Sequence, residues 1–175
     1  MNVNDVLIDG YSRISQILNR SLPGLTAEQL IYRPAEEANS IAWLAWHLTR
    51  IQDKHLSDLA ARPQEWITGG WHTKFEKPAE PADTGQRYTS EQVATIKPTD
   101  PQLLLDYHDA VFQRSVAFIK PLTPEDLDRE INEPQYDPLP TVGVRLVSVI
   151  VDNIQHAGQV AYLRGLIEAR RWYPA

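Results

Sequence analysis

The chain has 175 residues, 42% hydrophobic and 23% charged, a length and balance that predict one domain, residues 1–175, with a sizeable buried core. Seventeen basic against twenty-three acidic residues give a formal net charge of -6 with no lysine or arginine run, which argues against a phosphate-neutralising patch and so against nucleic acid as a partner. The absence of cysteine excludes disulfides, thiolate metal ligands and a cysteine nucleophile, and agrees with a cytoplasmic location.

The first residues, MNVNDVLIDGYSRI, lack the basic start and apolar run of a secretory signal, and no stretch reaches the roughly 18 uncharged apolar residues of a membrane span, so no membrane partner is expected. From Asp5 to Asn19 the apolar positions Val6, Leu7, Tyr11, Ile14, Ile17 and Leu18 follow a helical period, which the Leu22-Pro23-Gly24 break should end. Thr26 with Glu28 and Gln29 predicts a short helical turn before Arg33 and Pro34. Asn39 or Ser40 caps a second long helix, from Ile41 to about Ala60, whose first turns, IAWLAWHL, carry no charge. One end of that helix should therefore be more deeply buried.

Residues 62–98, rich in proline and polar groups and carrying Trp66 and Trp71, read as a long loop with one short turn at Ser90 to Ile96. Such a loop is either a lid or binding wall or a plain insertion. Asp100 and Pro101 open a third long helix that runs to about Ile119, with Leu104, Tyr107, Val111, Phe112, Val116 and Ile119 as its buried stripe. A single turn follows at Thr123 to Leu127, then a proline-rich loop from Asn132 to Pro140. The fourth long helix, Thr141 to Ala169, is apolar nearly all round, a pattern expected of a buried helix. Four long helices, no strand alternation and no internal repeat predict an all-α four-helix bundle, with a connection between the second and third helices long enough for a crossover.

Into the fourth helix is set DNIQHAGQ, residues 152–159. An i, i+4 pair is offset by about 40° and roughly 6 Å along a helix, so Asp152 and His156 project side by side, with Ser148 and Gln159 near the same line. A carboxylate facing a core requires a partner or a metal. Metal binding needs at least three ligands from rigid elements, and His47, in the uncharged part of the second helix, is the best third candidate. Imidazole with carboxylate suits zinc, nickel, iron or manganese, and three protein ligands leave positions open for substrate. Gln159 would orient a ligand from behind.

The competing reading is an Asp152–His156 hydrogen bond in a satisfied, metal-free network. His55 is expected to be solvated, His108 to lie at the surface, and His72 to approach the site only if its loop folds over it. Trp43 and Trp46 read as core, with a pocket role for them and for Trp71 as the alternative; Ala157 and Gly158 should permit close helix packing.

The segments NSIAWLAWHLTRIQDKHL and VRLVSVIVDNIQHAGQVAYLRGLI, with weaker support from LLLDYHDAVF, together resemble the DinB-like family of maleylpyruvate isomerase-like or thiol-S-transferase-like helical bundles. The resemblance covers most of the chain and implies a four-helix bundle holding a divalent metal, zinc first with nickel or iron as alternatives, through His47, Asp152 and His156. The commoner pattern of the family has histidine where this chain has Asp152; members similar to mycothiol-dependent maleylpyruvate isomerase have a carboxylate there. Family members of known activity use low-molecular-weight thiols in isomerase or transferase reactions. The implied function is a metal-dependent enzyme acting on a small molecule with an external thiol; the alternative is a stress-related metal-binding scaffold without turnover. A homodimer through exposed apolar helix faces is the expected assembly.

Overall fold

A computed structural model describes residues 1–171, so the last four residues of the expected 1–175 domain lie outside the description. The chain forms α1 (Val3–Ser21), α2 (Ala27–Ile31), α3 (Ile41–Leu59), α4 (Glu65–Thr68), α5 (Trp71–Lys74), α6 (Ser90–Val93), α7 (Pro101–Ile119), α8 (Pro124–Asp128) and α9 (Val142–Ile167). The long helices start where short polar side chains satisfy free backbone N–H groups: the Asn2 side chain accepts from Asp5 N, Ser40 from Trp43 N, Asp100 from Gln102 N and Thr141 from Val144 N. Of the two caps weighed for α3, Ser40 holds the position.

The four long helices pack in the cyclic order α1, α9, α3, α7, leaving α1 diagonal to α3 and α7 diagonal to α9. Side-chain bonds give their directions. Tyr11 donates to Leu146 O and Arg164 to Ser21 O, so α1 and α9 run parallel. Thr49 meets His108 and Gln52 meets Ser115, so α3 and α7 also run parallel. Gln52 pairs with Asn153 while the rings of His47 and His156 touch, which makes α3 and α9 antiparallel.

Two parallel neighbours need a connection that travels back along the bundle, and residues 60–100 supply it. This crossover contains three short helices where the sequence predicted one turn, because Trp66 and Trp71 are buried and nucleate α4 and α5 against the core. Trp46, Trp66, Phe75, Trp71 and Tyr107 form a connected aromatic cluster, with ring centroids 5.2–6.0 Å apart.

The expectation that α9 is buried on all sides fails. Val144, Val147, Val151, Ile154, Tyr162 and Leu166 are exposed along one face, while Leu146, Val149, Ala157 and Val160 face the core. By contrast, every residue from Ile41 to Arg50 is buried, in keeping with the uncharged first turns of α3. Ala157 is fully buried and serves close packing, whereas Gly158 is exposed and a Cβ there would meet nothing within 4 Å. No described helix is long and apolar enough to cross a membrane.

Candidate metal centre

The antiparallel contact of α3 with α9 brings together His47, Asp152 and His156, each offering one ligand atom within 4.8 Å of the others. His47 lies in the buried half of α3, stacked on Trp43 with ring centroids 4.4 Å apart. Its Nδ1 donates to the Thr84 carbonyl oxygen at 2.5 Å, which leaves Nε2 as the atom with a free lone pair. Burial lowers the His47 pKa, opposed by the bond to Thr84; the nearby His156 lowers it further and Asp152 raises it. The neutral imidazole that a metal requires is thus the favoured form.

On α9, His156 Nδ1 donates to Gln159 Oε1 at 2.8 Å, which again leaves Nε2 free. Gln159 holds this ring from an exposed position. His156 Nε2 stands 3.8 Å from Asp152 Oδ1, too far for a hydrogen bond but compatible with two ligands of one ion. Asp152 Oδ2 is buried with no hydrogen-bond partner. An orphaned carboxylate oxygen is costly, and a carboxylate beside two imidazoles with free Nε2 atoms fits a divalent cation better than a satisfied metal-free network. Asp152 and His156 sit at the edge of the bundle, with side-chain exposures of 42% and 19%, rather than deep in its interior.

The Thr84 carbonyl is held by a group the sequence did not single out. Arg50, fully buried, donates from Nε to Asp83 O at 3.0 Å and from Nη2 to Pro81 O at 3.0 Å and Glu80 O at 3.4 Å. Its Nη1 bonds Gln64 Oε1 and the Tyr107 hydroxyl, and lies 3.5 Å from Asp53 Oδ2. Asp53 in turn accepts from the backbone N–H groups of Glu65 and Trp66, anchoring the start of α4. One buried arginine therefore straps residues 80–83 along α3 and delivers Thr84 to His47. Gly85 makes the close approach possible: at φ +82, a Cβ there would lie 2.6 Å from Trp46 Cζ3 and 3.0 Å from Trp43 Nε1.

The remaining histidines depart from expectation. His108 is buried rather than superficial: its Nδ1 is 3.1 Å from Thr49 Oγ1 and its Nε2 is 2.9 Å from Ser15 Oγ, bolting α7 to α3 and α1. His55 is half-buried rather than solvated, and burial foremost, then the charges of Lys54 and Arg145, lowers its pKa to about 4. His72 packs its ring 6.4 Å from Trp66 and bonds Thr73, away from the three ligands. Of the tryptophans considered for a pocket, Trp43 borders the cluster, edge-on to His156 at 6.1 Å. Trp46 contacts Trp66 and Tyr88, and Trp71 contacts Tyr107 and Glu65, so both indoles belong to the aromatic cluster and its rim.

Among curated proteins nothing matches the chain significantly. Among solved structures it resembles one titled "Crystal structure of the conserved protein of locus from Enterococcus faecalis", with 29% identity, a TM-score of 0.89, and coverage of 97% of this chain and 99% of that one. The profile of the DinB superfamily matches residues 11–160. That match spans well over half of the sequence, and the chain belongs to the DinB superfamily.

Proposed function

We propose that the protein is a divalent-metal-dependent enzyme that acts on a small molecule together with an external low-molecular-weight thiol, as a transferase or isomerase. The observation that carries the metal reading is the convergence of His47, Asp152 and His156 from two helices, with one ligand atom of each within 4.8 Å of the others and no hydrogen bond satisfying the Asp152 Oδ2 atom. His47 and His156 would each bind through Nε2, because their Nδ1 atoms are committed to Thr84 and Gln159, and Asp152 would supply the third ligand atom. Zinc is the first choice of ion, with nickel or iron as alternatives. A bound divalent ion would supply Lewis acidity, lowering the pKa of a thiol and polarising a substrate oxygen.

The chain's own contribution is to hold two imidazoles in fixed tautomers, with Trp43 stacked on His47 and edge-on to His156. With no cysteine in the sequence, any sulfur nucleophile comes from outside, in keeping with a thiol-rich cytoplasm. The exposed apolar face of α9 from Val144 to Leu166 supports a homodimer.

His156→Ala should lose both bound metal, measured by elemental analysis of untagged protein, and any thiol-dependent turnover. Turnover that persists in the metal-free wild-type protein would overturn the mechanism. A protein that binds metal stoichiometrically yet turns over nothing in a screen of thiol cofactors would support the scaffold reading instead.

A further inference from the structure

A cavity of about 350 Å³ opens beside Asp152, between α3, α9 and the loop that follows α8. Its walls include Ile51, His55, Tyr136, Arg145 and Val149. The loop wall is fixed at its base, where Ile131 N donates to Pro140 O and Glu130 bridges Thr141. The lining is mostly polar, and Ile51, Val149 and the Tyr136 ring form its smaller apolar part.

Arg145 carries an unmet capacity. Its side chain is 12% exposed, donates from Nη2 to Glu133 Oε2 and places Cζ 5.9 Å from the Tyr136 ring centroid; Nη1 has no acceptor among the described residues, and Nε is buried out of reach of the cavity. A guanidinium has five N–H donors in a planar fork, and one monodentate carboxylate contact on Nη2 leaves the Nη1 donors for a ligand. The other charges at the cavity are Lys54, paired with Asp58 at 3.0 Å, Glu133 itself, and Asp152, which faces the imidazoles. His55, held neutral by burial foremost and by the charges of Lys54 and Arg145, brings no positive charge to the cavity and offers only a ring nitrogen.

We infer that this cavity binds the carboxylate of a small organic acid, with Arg145 as its anchor and the apolar wall taking the hydrocarbon body. The inference rests on the metal-enzyme reading in one respect: the acid held there would lie beside Asp152 and so be the substrate. A monoanion is favoured over phosphate because Glu133 and Asp152 already place two carboxylates at the cavity and Arg145 is the chief free donor.

Benzoate, its neutral isostere benzamide, and inorganic phosphate are the probes, titrated into wild-type protein by calorimetry and by amide chemical shifts, in metal-free and zinc-loaded forms. Benzoate should bind at least ~10-fold more tightly than benzamide and than phosphate, with shifts at Arg145 and Ser148. Arg145→Gln should weaken benzoate ~10-fold or more, and Glu133→Gln, which releases the guanidinium, should strengthen it several-fold. Equal binding of benzoate and benzamide by wild-type protein would overturn the inference without recourse to any variant. Phosphate binding as tight as benzoate would overturn the organic-acid assignment. If the metal-free protein binds benzoate through Arg145 but takes up no zinc, the anion pocket stands and the metal reading falls; if the protein takes up zinc but binds no benzoate, the metal reading stands and the anion pocket falls.

Discussion

His108 shows how a single buried polar side chain ties the interior of this bundle together. Thr49 Oγ1 donates to Ala45 O and so can accept from the imidazole Nδ1–H, which leaves Nε2 to accept from the Ser15 hydroxyl. Both ring nitrogens are satisfied in the neutral form, and complete burial lowers the pKa from 6.5 to about 4. With the folded value below the unfolded one, the unfolded chain binds the proton first, so stability is intact above pH 6.5 and falls as pH drops toward 4. The loss across that window is up to about 3 kcal/mol for this one residue. Denaturant titrations of the wild type and of His108→Gln, which keeps a polar group between Ser15 and Thr49 but gains no proton, should show a shallower acid limb in the variant. Equal acid limbs would assign the sensitivity elsewhere.

The elements decide whether the metal ligands meet in working tautomers, and the crossover after α3 matters most. Arg50 fastens residues 80–83 and Gly85 lets the next stretch press on Trp46 and Trp43, so Thr84 reaches His47. Gly85→Ala combines a positive φ with a sub-van-der-Waals Cβ contact and should cost about 2–4 kcal/mol. A titration with a competing chromophoric chelator should show weaker metal affinity in that variant, because Thr84 withdraws with the loop; unchanged affinity would mean that His47 does not depend on the strap. The long helices are legible in the sequence, since Ser40, Asp100 with Pro101, and Thr141 are local start signals and the 3.6-residue period is local too. Their cyclic order around the bundle is not, because it depends on which faces bury area together. Thr84 contributes a backbone carbonyl, which any residue carries, and Arg50 resembles part of a polar outer face until the crossover buries it. His108 escapes a sequence reading for the same reason: its neighbour Asp109 is exposed while one step along the helix turns the imidazole into the core.

For the molecule as a whole, the order α1, α9, α3, α7 places the first and last long helices in contact, as parallel partners joined by Tyr11 and Arg164. Contacts so distant along the chain form against a substantial entropy of chain closure. The candidate metal centre brings together residues roughly a hundred positions apart in a chain that has no cysteine with which to make such a link covalently. Coordination there would act as a reversible cross-link on the denatured chain's freedom. At an ion concentration one hundred times its Kd, the folded state gains about 2.7 kcal/mol, or roughly 5–10 °C in Tm for a chain of this size. Differential scanning calorimetry with and without EDTA should find that shift in the wild type and lose it in His47→Ala. The fold would then be sturdiest where the ion is plentiful and most open to proteolysis where it is scarce, so that metal supply sets how long the protein lasts as well as whether it can work.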